Sequence, residues 1–171
     1  MSNVMIQGII SRRTIRKFDG RDISEDVMED LLKAGMAAPT AFDARPWHFV
    51  AIQNRAMMSS LAAAMPGCEM CAQTASAVLV CADASTEKLP GIWVQDCSAC
   101  SQNIQLAAHA HSLGAVWLAI YLVEERVQAV RSLLSIPMAI TPFALIAVGY
   151  PAESGAMVDR FLHDRIHRDR W

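Results

Sequence analysis

An α+β or α/β sandwich is the fold class that this sequence predicts, and three observations carry the prediction. Helical patterns alternate with about four short strand-like runs along the 171 residues. Apolar residues make up 53% and charged residues only 19%, so an ample core is available. Neither repeats nor a long Pro/Gly/Ser-rich linker divides the chain, which makes a single domain spanning 1–171 the expectation.

Each element follows from local pattern. Met5 to Ile10 reads as a short helix running into a basic cluster. Ser24 is a good N-cap, with Glu25 and Asp26 in the first turn where they complement the helix dipole. Val27, Met28, Leu31 and Leu32 then recur at helical spacing, and Gly35 weakens the end before Pro39. Trp47 to Ile52 reads as a strand, Ala56 to about Met65 as a helix broken at Pro66-Gly67, and Ala75 to Cys81 as a buried strand. From about Val94 to Leu113 the pattern is a long helix, and its lack of charge predicts burial on nearly all sides. Ala115–Ile120 and Phe143–Val148 are further strands, with a helix over Glu124–Leu134 between them. Residues 151–171 carry no core-forming pattern and are expected to form an extended C-terminal arm that wraps over something.

Charge is placed unevenly. Residues 1–33 hold 12 of the 32 charged side chains and 153–171 hold 8, leaving a nearly neutral middle. The net charge of −2 gives no positive field for nucleic acid, and the apolar content excludes disorder. The 27 residues between Asp96 and Glu124 lack any Lys, Arg, Asp or Glu, a length that would span a bilayer. Ser98, Gln102, Asn103, Gln105, His109 and His111 interrupt that stretch, and three prolines break the next uncharged run, so a membrane span is rejected. Arg12, Arg13 and Arg16 follow a polar-studded start unlike a signal peptide, and the cytoplasm is the default location.

Three constellations bear on chemistry. In Ser11–Phe18, three arginines and a lysine crowd beside hydroxyls, and guanidinium forks suit phosphate oxygens. If that segment is helical, Arg12 and Arg16 share a face; the plainer reading is a solvated basic turn paired with the acidic run Glu25–Asp30. Ala38–Trp47 sets two prolines around small and polar residues, either a rigid ligand loop or an ordinary connector. Cys68-x-x-Cys71 and Cys97-x-x-Cys100 have the spacing of a zinc or iron–sulfur site, or of a redox pair. Cys97 and Cys100 nevertheless face the same way as Ile104 within a helix, so core packing is expected and no metal site is assigned. His109 and His111 point about 200° apart on a helix and make no site. A dinucleotide fingerprint, a P-loop and a nucleophile elbow are all lacking.

The order of these segments resembles the nitroreductase family, particularly its short members. An R-R-S-x-R-x-F-like segment is matched by Arg12–Phe18, and an A-P-S-x-x-N-x-Q-P-W-like loop by Ala38–Trp47. A D-C-S-A-x-x-Q-N segment is matched at Asp96–Asn103 and a G-A-V-W-L strand by Gly114–Leu118. The A-x-G-Y-P strand end is matched by Ala147–Pro151, and the tail by Arg160-Phe161, Ile166-His167 and Trp171. Six motifs in register cover essentially the whole chain.

The resemblance implies an α+β three-layer sandwich with a mixed, mostly antiparallel sheet of four to five strands, in an intertwined homodimer that binds FMN non-covalently at its interface. By similarity, Arg12, Arg13 and Arg16 hold the ribityl-phosphate end, with Thr14 nearby and Arg160 adding a contact from the tail. Pro39, Thr40, Ala41 and Asp43 reach the flavin from the partner, and Trp117, Leu118 and Ala119 lie along its ring. The implied activity is ping-pong: NADH or NADPH, docking transiently, reduces the flavin, which then reduces a nitroaromatic, a quinone or an activated alkene. No side-chain acid or base is obligatory, and no catalytic residue is named. Some positions depart from the family pattern. Asp43 replaces Asn and Arg45 replaces Gln, Ala119 replaces Gly, and Val158 stands where longer relatives have a second phosphate-binding Lys. An unneutralised Asp43 would repel a reduced, anionic flavin. Alternatives are a flavin protein fed by a carrier such as ferredoxin, or a non-catalytic flavin- or zinc-binding module.

Overall fold

In a computed structural model, which describes residues 3–156 and 158–171, four of the five α-helices pack on the two faces of a four-stranded sheet. The elements in chain order are α1 (Val4–Ser11), α2 (Glu25–Met36), β1 (Trp47–Ile52), α3 (Arg55–Ala64), β2 (Ser76–Ala82), α4 (Trp93–Ala110), β3 (Gly114–Ala119), α5 (Glu124–Leu134) and β4 (Thr141–Gly149). The spatial order is β1-β2-β4-β3, and every pairing is antiparallel. The sheet is therefore wholly antiparallel where a mixed one is expected from the resemblance; the parallel bridge of Thr14 with Ala115 lies outside its strands.

Both faces of the sheet are covered, which is why β2 and β4 read as continuous apolar runs. Leu79, Cys81, Leu145 and Leu118 point to one side, where Met58, Leu61 and Met65 of the α3 region and Val127 and Val130 of α5 close over them. Val78, Val80, Ile146 and Val148 point to the other, against Met28 and Leu31 of α2 and Trp93, Cys97, Cys100 and Ile104 of α4. Pro142 lies opposite Cys81, where the β2–β4 register shifts, consistent with a residue that has no N–H to give the ladder.

Side-chain caps mark the starts of α1, α2 and α3. Ser24 Oγ accepts from Val27 N–H at 3.4 Å as the sequence predicts, and Asn54 does the same for α3 through Met57 N–H at 3.0 Å. Gly35 does not end α2. It lies inside the helix, where a Cβ would stand 3.0 Å from Ile104, so its role is close approach to α4. Helix α4 buries one face, through Trp93, Cys97, Cys100, Ile104 and Ala108, while most of its other residues are half-buried and Gln95 and Ala110 are exposed, short of the burial on nearly all sides expected from its scarcity of charge.

The ends of the chain behave differently. Helix α1 buries none of its residues, and Val4, Met5, Ile6, Ile9 and Ile10 are exposed. Phe161, Leu162, Ile166 and Trp171 of the C-terminal arm are exposed as well. Met157, within the expected arm, lies outside the described residues. No helix among the described residues is long and apolar enough to cross a membrane.

Candidate functional site

The basic segment is extended, not helical. Helix α1 ends when Arg12 N–H donates to Gly8 O, and Arg12 turns to φ −54°, ψ 133°. Ile15 and Phe18 then plug into the core, each 7% exposed, and Ile15 N–H donates to Ala115 O at the start of β3. Two glycines make the room. A Cβ on Gly114 would stand 2.7 Å from Ile15, and one on Gly149 would stand 2.8 Å from Thr74 Oγ1 and 3.2 Å from Phe18. The arginines are therefore carried on an extended strip whose apolar residues anchor it. The acidic face of α2 is engaged elsewhere: Lys33 pairs with Glu29 at 2.8 Å, and Asp30 meets His111 at 3.1 Å.

Arg12 has the most telling environment. Its Nη1 is buried with no hydrogen-bond partner among the described residues. Burial, then the like charges of Arg160 and Arg13, hold its guanidinium below the usual pKa. Residues 148 positions apart thus place cationic groups together, and one of them has a donor left to give. An anion with several acceptor oxygens fits this arrangement in both charge and hydrogen-bonding demand.

Arg13 is placed differently from Arg12. Its Nη1 donates to Ile10 O and Arg12 O, at 2.7 Å each, closing the end of α1. Its Nε donates to Ala156 O at 2.8 Å and its Nη2 to Val158 O at 3.4 Å, so it also grips the arm. Arg16 and Thr14 are exposed on the same strip. The Glu153 carboxylate accepts from Arg16 N–H at 2.6 Å and Lys17 N–H at 3.1 Å, bonds that lower its pKa. A cavity of about 350 Å³ opens beside this contact and shares only Arg13 with the residues expected at the site.

The loop after α2 is built around an acid that sequence reasoning quoted without giving it a role. Asp96, buried in the first turn of α4, accepts from Thr40 Oγ1 at 2.9 Å and Ala41 N–H at 3.1 Å. Thr40 Oγ1 in turn accepts from Arg45 N–H at 3.0 Å. Phe42, Asp43 and Arg45 all adopt left-handed φ, at 54°, 55° and 46°, a costly backbone that the Asp96 contacts hold in place. Asp43 is neutralised within the loop, because Arg45 Nε and Nη2 reach its two oxygens at 2.6 and 2.9 Å. The signal for Asp96 is in the sequence: it is the last charge before the 27-residue uncharged stretch.

The remaining expected residues lie on β3, an outer strand. Ile120 N–H donates to Phe143 O, and alternation along the register makes Leu118–Leu145 and Val116–Ala147 the hydrogen-bonded pairs, so the backbone groups of Trp117 and Ala119 are directed to the open edge, as is Ala115 O, which accepts from Ile15 N–H. The Trp117 ring packs edge-on to Phe143 at 5.8 Å, and Leu118 is buried on the opposite face. Ala119 O already accepts from Arg126 Nη1 at 2.8 Å. The cysteines take no part. All five are free and buried, burial pushes Cys71, Cys81 and Cys97 up to about 12, and no group of metal-binding side chains forms among the described residues.

An α+β sandwich with a cluster of arginines gathered from both ends of the chain defines the class of fold and site. The nitroreductase family model matches residues 9–68 and 69–150, and the chain belongs to the nitroreductase family. It is 46% identical over 98% of its length to a protein of Methanothermobacter thermautotrophicus, provisionally named as an NADH dehydrogenase/NAD(P)H nitroreductase, of which it covers 87%. A similarly named crystal structure from Bacteroides thetaiotaomicron superposes with a TM-score of 0.94 at 36% identity, over 100% of both chains. A nitroreductase structure from Desulfovibrio desulfuricans, solved in complex with FMN, matches with a TM-score of 0.86 at 29% identity over 100% of this chain and 99% of that one.

Proposed function

We propose that the chain is a cytoplasmic FMN-dependent NAD(P)H oxidoreductase, a single domain with its 151–171 arm, working as a homodimer on a small electron acceptor. The observation that carries this reading is the Arg12 donor, buried without a partner beside Arg160 and Arg13. It is supported by the family and by the FMN complex of the Desulfovibrio relative. Held by these residues, FMN would supply the two-electron redox chemistry needed between NADH or NADPH and a nitroaromatic, quinone or activated alkene.

The chain's own residues bind and orient. Arg12 and Arg160 hold the phosphate by charge-assisted bonds, with Arg16 and Thr14 on the same strip and Arg13 adding charge while gripping the arm. The outward N–H groups of Trp117 and Ala119 donate along the flavin ring beside Leu118, favouring negative charge there. Pro39, Thr40, Ala41 and Asp43 come from the partner's loop. The Arg45 fork on Asp43 removes the repulsion that an acid would otherwise exert. The exposed apolar face of α1 and the exposed arm supply the surface that a second copy covers.

The test begins with absorbance of the purified protein, which is expected to be yellow or to become so with added FMN. Anaerobic NADH or NADPH then bleaches it, and an acceptor screen ranks nitroaromatics, quinones and alkenes. A colourless protein that ignores FMN refutes the reading. Bleaching by neither nicotinamide favours supply by an electron-carrier protein instead.

A further inference from the structure

We infer that Glu153 and Arg13 form a clasp that sets the C-terminal arm in register, so that Arg160 is delivered beside Arg12; both are positioning residues for the cofactor phosphate, an inference that rests on the phosphate placement proposed above. The geometry is a run of contacts from 151–156 and Val158 to residues 13–18. Pro151 bridges to Phe18, and Ala152 N–H donates to Lys17 O at 2.8 Å. Glu153 Oε1 takes the next two amides of the strip, Arg16 N–H and Lys17 N–H. Gly155 follows, where a Cβ would stand 2.5 Å from Arg13 Cβ, so the arm passes against the arginine stem with no space for a side chain. Arg13 then donates to Ala156 O and Val158 O. Arg160 comes two residues later, close enough to Arg12 to perturb it.

Beyond that point the hydrogen bonds and ring contacts among the arm's described residues are internal to it. Phe161 N–H donates to Asp159 at 2.9 Å, and the Phe161–His163 and His167–Trp171 ring pairs stand 4.7 and 4.2 Å apart. The register of Arg160 is therefore inherited from the clasp. A tethered guanidinium acts at high effective concentration; a released one pays the entropy of finding its place.

The experiment is a double-mutant cycle on the full chain, reading FMN dissociation constants by fluorescence quenching of reconstituted protein. Glu153→Ala raises the Kd about tenfold by untethering Arg160, and Gly155→Ala does the same without altering charge. Glu153→Gln, which keeps the accepting oxygen, stays within about threefold of wild type. Arg160→Ala weakens FMN about a hundredfold, and adding Glu153→Ala to it costs nothing further, because the arm then carries no contact to lose. Hydrogen exchange at the Arg16 and Lys17 amides reports clasp opening independently of flavin, and is faster in both clasp variants. If the effects of Glu153→Ala and Arg160→Ala simply multiply, Glu153 acts only on general structure and the clasp is refuted. If Arg12→Ala and Arg160→Ala both retain full FMN affinity, the phosphate placement itself falls, and the clasp falls with it.

Discussion

Replacing Arg12 by Met separates binding from stability, and the two effects have opposite signs. Met keeps most of the unbranched apolar stem and removes the guanidinium whose Nη1 is buried without a partner. A buried, unsatisfied donor costs about 1–3 kcal/mol, and the low end applies because the side chain as a whole is only partly buried. Relief of about 1 kcal/mol raises the melting temperature of the apoprotein by about 2–4 °C for a chain of this size. The same change deletes a charge-assisted phosphate contact worth about 2–3 kcal/mol, a loss of roughly 30–150-fold in FMN affinity. At FMN fixed at about 100 times the wild-type Kd, ligand stabilisation is about 2.7 kcal/mol, and it falls to about 0.6 kcal/mol if affinity drops about fiftyfold. Scanning fluorimetry with and without FMN measures both numbers on one plate. A variant that melts lower than wild type without FMN, yet gains as much from FMN, would show that Arg12 is an ordinary structural arginine.

Three other perturbations follow from the geometry. Asp96→Ala leaves Thr40 and Ala41 without their acceptor and costs about 3 kcal/mol, and chymotrypsin then cuts after Phe42 faster than in wild type; equal cleavage rates would show that the loop holds itself. Gly114→Ala drives a methyl into Ile15 and lowers stability by about 1–3 kcal/mol in urea titration, while adding Ile15→Ala recovers part of the loss; independent, additive effects would deny the contact. Cys71, Cys81 and Cys97, held near 12, ignore Ellman's reagent at about pH 8 until denaturant is added. Since these folded-state values lie above the unfolded ones, the stability they contribute is intact below about pH 9 and is lost as pH rises from there toward about 12.

The helices and strands were legible because burial imposes its period on them. Leu79 and Cys81 alternate with Val78 and Val80 along β2 because each face of the sheet meets a different layer of helices. Ser24 could be read as a cap because its hydroxyl acts on a neighbour three residues along. What stayed hidden depends on partners distant in sequence. Ile15 and Phe18, three apart, mimic a helical stripe, but they are extended, because β3 and β4 present glycines where the strip lies down. Gly35 looked like a helix terminator; only α4, some 65 residues on, shows it to be a point of close contact. The family motifs point to Arg12, Thr40 and Arg160 as site candidates, yet the different settings of Arg12 and Arg13 rest on which carbonyls lie within reach. No local pattern encodes that.

Strand order sets a timetable for the chain. β4 is the last strand to be made, and it inserts between β2 and β3. Until residue 149 has left the ribosome, β2 lacks one neighbour and β3 has no ladder at all. The most apolar edges of the nascent protein are therefore exposed for most of synthesis, the interval in which a holding chaperone has most to protect. The arginines from the two ends meet later still, because residue 160 emerges after the strand that closes the sheet. With the phosphate placed as proposed above, refolding from denaturant is expected to restore the sheet at the same rate with or without FMN.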